Sequence, residues 1–193
     1  MNNIITQENA LQLLEPFAVE VYDTFYEGLD TLNRMSGEAN GPLFKRVKAG
    51  LMHNLMCNAF KQKVNSVADV VINEKYESIT VIVGDQIAGR FKKLNREKLS
   101  KNIMTPRVRG IIGQQLSIDY PDLPTITHIE FGYVINDTWS DFESLNIVCR
   151  LHDTVIWKFQ LLSSIAENGV KVVTLIPDRN SKDTSTGDLA ING

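Results

Sequence analysis

The chain predicts an α+β fold, N-terminal helices packed on a mostly antiparallel β-sheet of about five to six strands. Three observations predict it. Apolar residues recur at helical spacing through roughly the first third of the 193 residues. From Ser78 onward they alternate at period two or run in short β-branched stretches. Turn residues such as Gly84-Asp85-Gln86, Asn136-Asp137 and His152-Asp153 divide those stretches into a hairpin and a meander.

Thr6 is a candidate N-cap for a first helix, and Pro16 either ends that helix or opens the next. Phe17, Val21, Phe25, Leu29 and Leu32 form the apolar stripe of a long helix, so helical structure is expected over residues 7–34. Its outer face carries Glu20, Asp23, Glu27 and Asp30, which reads as a solvated acidic surface. After the loop-like 36–42, a helix over residues 42–64 places Leu43, Val47, Leu51 and Leu55 on one stripe. Ala49, Gly50, His53, Met56, Cys57 and Phe60 fall on the opposite side, so this helix is expected between two layers. Gly50 inside it predicts a close backbone approach.

Residues 67–71 are β-rich, and a hairpin is expected over 78–94. In its second strand Ile87, Gly89, Phe91 and Lys93 point one way, and Ala88, Arg90, Lys92 and Leu94 the other. Thr105 and Pro106 have the look of an N-cap and a first helical residue, giving a helix over 106–116 with Val108, Ile111, Ile112 and Leu116 inward. A three-stranded meander follows over 127–162, and a last strand over 170–176. Residues 1–176 are expected to form a single domain; residues 177–193, poor in large apolar side chains, are expected to be a flexible tail.

No apolar run reaches the ~18 residues a bilayer-spanning helix needs, and the N-terminus lacks the charged and apolar regions of a signal peptide. A cytoplasmic protein without membrane contact is therefore expected. Cys57 and Cys149 stand far apart in apolar surroundings and read as reduced core thiols.

The net charge of −3 conceals a pattern. Residues 1–40 carry seven acids and one base, 41–109 fourteen bases and five acids, and 110–193 eleven acids and five bases. Such a basic middle band can be a nucleic-acid footprint, a dock for an acidic partner, or the complement of the chain's own acidic ends.

Chemistry is sparsely signposted. Zinc-ligand spacings and phosphate-binding loops are absent from the sequence, and the acids of the last third fall mostly at turns, so neither a metal nor a cofactor is expected. His53 reads either as a satisfied interface histidine or as a proton-transfer group. Cys57, one turn later, could have its thiol pKa lowered by it, or could be a small hydrophobe. Cations beside an imidazole and a phenol suit metal-free phosphodiester chemistry, and equally plain phosphate binding. On that reasoning His53, Arg90 and Lys92 are the catalytic candidates, and Lys93, Arg107, Arg109 and Tyr133 the binding candidates.

Several stretches together carry a resemblance: Ala88-Gly89-Arg90-Phe91-Lys92-Lys93-Leu94, Asn102, Thr105-Pro106-Arg107, Leu123-Pro124, Gly132 to Asp137, Val148-Cys149 and Trp157, with His53 upstream. Over residues 43–160 the chain resembles small bacterial and prophage proteins found in two-gene loci. The other gene of such a locus encodes a helix-turn-helix protein fused to a zinc-peptidase-like domain, as in RosmerTA-type toxin–antitoxin phage-defence modules. The N-terminal helix and polar tail lie outside that pattern, and the Leu123-Pro124 segment lacks its glycine. The resemblance implies a biological setting and no reaction: an effector, or toxin, with a cognate antitoxin-like partner. Action on RNA through the basic strand is an expectation from its own cations and interleaved aromatic. The alternative is a non-catalytic module that docks an acidic protein or nucleic acid and only regulates it.

Overall fold

The computed structural model describes residues 4–39, 41–64, 67, 69–75, 78–101, 105–114, 126–166 and 169–178. Its elements are α1 (Gln7–Leu14), a 3-10 turn (Glu15–Phe17), α2 (Ala18–Glu38), α3 (Lys45–Val64), β1 (Val70–Lys75), β2 (Ser78–Val83), β3 (Ile87–Lys93), α4 (Pro106–Ile112), β4 (Thr127–Ile135), β5 (Phe142–Leu151), β6 (Thr154–Ile165) and β7 (Lys171–Pro177). The fold is α+β, with N-terminal helices on a mostly antiparallel sheet of seven strands.

Strand order follows chain order from β1 to β7. Every neighbouring pair is antiparallel except β3 and β4, which run parallel with Arg90 opposite Glu130. Parallel neighbours need a crossover, and the one here carries α4. All nine residues of β4 are buried, as a central strand covered on both faces requires.

One face of the sheet meets α1 to α3 and forms the main core. Phe17, Phe25 and Phe60 from the helical layer pack edge-on or tilted against Phe91 and Phe131. Such aromatic pairs contribute about 0.5–1.5 kcal/mol each beyond the area they bury. Thr6 caps α1 by accepting from the Asn9 N–H, and Pro16, lacking an N–H to donate, lies in the 3-10 turn that splits the expected helix 7–34 in two.

α3 begins three residues later than expected and, instead of being covered on both sides, buries chiefly the side that carries Met56, Cys57 and Phe60. Met52, Met56, Cys57, Ala59, Phe60 and Val64 face the core, whereas Val47 is exposed and Leu43, Leu51 and Leu55 are half-buried. Gly50 is exposed with no heavy atom near its Cβ direction, so it marks no close approach. The close approach is at Gly28 of α2, where an added Cβ would lie 3.0 Å from Met56 Cγ. α4 ends at Ile112 in a Gly113-Gln114 turn, short of residue 116, and Leu116 lies outside the described residues. β7 continues through Pro177, the residue at which the tail was expected to begin; residues 179–193 lie outside the described residues.

Candidate functional site: a cationic cleft beneath α4

Period two along β3 divides the basic strand between the faces. Phe91 enters the helix-facing core, and Lys93, on the same side, stacks over the Trp139 ring at 4.4 Å from its centroid. Arg90 and Lys92 project to the second face. There, with Ala88, His128, Ile129 and Glu130 from the sheet and Val108, Ile111 and Ile112 from α4, they line a narrow cleft. The free space within, about 20 Å³, has room for one water molecule.

α4 is fixed over this cleft at both ends. Thr105 Oγ1 accepts from the Val108 N–H, and Pro106 occupies the first turn, where its missing N–H costs nothing. Beyond the helix, the β4–β5 ladder stops at Ile129 opposite Cys149, and the buried Gln114 side chain continues it. Its amide oxygen accepts from the His128 N–H at 2.7 Å, and its amide nitrogen donates to the carbonyls of His128 and Arg150 at 2.8 and 2.9 Å. The His152 N–H also donates to the Ile112 carbonyl, tying the end of α4 to the β5–β6 turn.

Beneath the cleft lies a buried ion pair. Arg150 Nη2 lies 3.0 Å from Glu130 Oε1, with side-chain exposures of 5% and 10%. Ser100 completes the group, donating to Glu130 at 2.6 Å and accepting from Arg150 at 2.9 Å. Arg90 Nε donates to the buried Thr80 hydroxyl at 3.1 Å. Burial holds the Lys92 ammonium below its ordinary value; Glu130 opposes that shift, while Arg90 and Arg150 add to it.

His53 approaches from the other layer. The β2–β3 ladder ends at Val81 opposite Gly89, so β3 parts from β2 just before Arg90. His53, on α3, hydrogen-bonds the Phe91 backbone there. Burial, and behind it the Lys92 charge, holds its imidazole below the usual value, against the opposing effect of that hydrogen bond. His53 therefore feels Lys92 without lining the cleft. Its Nε2 is 3.7 Å from Cys57 Sγ, but burial pushes that thiol up to about 11, the reverse of what a nucleophile needs.

The remaining candidates scatter. Tyr133 is 1% exposed in the helix-facing core, its ring against Phe25 and Phe142, and burial raises its phenol well above the usual range. That position makes it a packing residue with no surface to offer a ligand. Arg109 is exposed in the last turn of α4, and Arg107 stands in its first turn with its side chain outside the described set. Arg150, Ser100 and Gln114 escaped the sequence reading; Glu130 entered it only as one of the acids weighed for a metal site, set aside for want of a lysine close in sequence, whereas the fold brings Lys92 near it. A lone carboxylate inside the apolar run 126–135 was the available signal, because a charge at the centre of a buried strand requires a partner.

Among the described residues no group of three or more His, Cys, Asp or Glu side chains is placed to hold a metal, and no helix is long and apolar enough to cross a membrane. Comparison of the chain with protein-family models, with curated proteins and with solved structures finds no match.

Proposed function

We propose that this chain is the effector of a toxin–antitoxin-like or phage-defence pair, acting in the cytoplasm on RNA through the cations of β3. The observation that carries the reading is the convergence of Arg90, Lys92 and Arg150 on one half-buried face of the sheet, two of them lining a cleft. Guanidinium and ammonium groups so placed are the side chains that bind phosphate. The sequence resemblance supplies the biological setting and the cognate antitoxin-like partner. Expression in a bacterial host tests it: growth arrest is expected, and Arg90→Ala together with Lys92→Ala should relieve it. Undiminished arrest by that double variant refutes the role of the cleft.

One observation favours a second reading, a non-catalytic binding module. His53 stands in the helical layer and does not line the cleft, so the geometry supplies binding groups more readily than a proton-transfer path. This reading predicts stoichiometric RNA or acidic-protein binding that weakens steeply with salt, with no turnover and no effect of His53→Ala.

A further inference from the structure

A larger groove lies elsewhere on the second face. Ser144 and Asn146 of β5, Lys158 and Gln160 of β6, and Ile176, Pro177 and Asp178 at the end of β7 form its floor and one wall; Lys98 stands over it. Its free space is about 270 Å³, near the lower end of the ~300–1,000 Å³ typical of small-molecule sites.

Lys98 is held there by a built turn. Asn95 accepts from the Lys98 N–H through its carbonyl and from the Leu99 N–H through its side chain, and Lys98 adopts a left-handed φ of 63°. A non-glycine residue kept in that region is strained, and such strain gathers at functional sites. The Lys98 ammonium donates to Ser144 Oγ at 2.6 Å, and Lys158 pairs with Asp178 at 2.6 Å. The two ammonium groups are close enough for Lys158 to add to the burial that holds Lys98 below its ordinary value. The groove thus offers two cations, one carboxylate, a hydroxyl and two side-chain amides beside an apolar edge.

We propose that this groove binds a nucleoside phosphate, with the phosphate between Lys98 and Lys158. The amides of Asn146 and Gln160 each carry a donor and an acceptor, as the edge of a base requires. Ile176 and Pro177 provide an apolar surface for the ring. Asp178 accepts from a ribose hydroxyl while it orients Lys158. The volume limits the occupant to about one nucleotide. The site is separate from the cleft beneath α4 and does not depend on the effector reading.

Titration of the full chain with adenosine monophosphate, inorganic phosphate and a single-stranded hexaribonucleotide, followed by NMR of the nitrogen-labelled protein, tests the assignment. Shifts are expected at the side-chain amides of Asn146 and Gln160 and at the backbone of Ser144 and Ile176. Lys98→Gln should weaken binding roughly tenfold, the value of one charge-assisted hydrogen bond. Gln160→Ala, at an exposed position, should weaken it several-fold with unchanged thermal unfolding, and Arg34→Gln, at an exposed position of α2 outside both clefts, should leave it unchanged. Equal affinity for monophosphate and hexaribonucleotide supports a free nucleotide as the ligand. Clearly tighter hexaribonucleotide binding supports one unit of an RNA strand. No shifts with either at millimolar concentration, or shifts with inorganic phosphate that match those with the nucleotide, overturn the proposal.

Discussion

Replacing Arg150 by Met would remove one half of the buried ion pair and leave the Glu130 carboxyl beneath α4 without its arginine, with Ser100 as its remaining hydrogen-bond partner in the group. At 3.0 Å and an effective dielectric near 20, the direct attraction between unit charges is about 5.5 kcal/mol. Desolvating two ions costs several kcal/mol each, so the intact pair contributes little net stability. Breaking it from one side forfeits the attraction while the desolvation remains, a loss of about 3–5 kcal/mol. Glu130→Met should be at least as damaging, because it also removes the carboxylate that offsets the charge on Lys92. The double replacement of Glu130 and Arg150 by Met should recover most of the loss. Urea unfolding of the wild type, both single variants and the double variant gives the coupling through a double-mutant cycle. Single-variant losses below about 1 kcal/mol, or a double variant as unstable as the sum of the singles, would refute the reasoning.

Gly89→Ala should cost about 3 kcal/mol or more in the same urea assay, because its Cβ would stand 2.2 Å from Phe131 Cε2, a ring hemmed in by Phe17, Phe60 and Phe91. Gly132→Ala meets the flexible end of Leu94 at the same distance and should cost less; the reverse order would mean that the ring yields more easily than the leucine. Gln114→Leu strands the His128 N–H and the Arg150 carbonyl, so a loss of about 2–4 kcal/mol is expected, with faster hydrogen exchange at residue 128 as its local signature. His53 is held below its ordinary value, so between that depressed value and about 6.5 the unfolded chain binds more protons and stability falls as pH falls. His53→Leu should flatten that part of the urea midpoint profile, and an unchanged slope would remove the linkage. Cys57, its thiol raised to about 11, should react with a disulfide reagent at pH 8 far more slowly than a free cysteine; a free-thiol rate would contradict its burial.

The local elements were legible because their causes are local. The caps at Thr6 and Thr105 and the stripe on α2 were each set by residues within a few positions of one another. α3 was expected to be covered on both sides because both are apolar or small. With two candidate faces, periodicity alone cannot say which one meets Phe25 and Phe91. Gly50 misled for a related reason, since a glycine inside a helix reports a close approach only where another element actually arrives, as it does at Gly28. Tyr133 was grouped with the cations by chemical type, although its phase along β4 places it on Phe91's side of the sheet.

By itself the sequence determined that helices precede strands, that short turns make most neighbours antiparallel, and that Arg90 and Lys92 share a face while Phe91 and Lys93 take the other. Period and turn chemistry fix those matters within a few residues. Only the tertiary structure decided what those cations meet. The parallel joint between β3 and β4 brings Arg90 beside Glu130, forty positions away in the chain, and the next strand adds Arg150. A crossover fixes no register from its own sequence, because registry there is set by the whole sheet and by Gln114 closing the β4–β5 ladder. The basic strand is a local fact, and its partners are a global one.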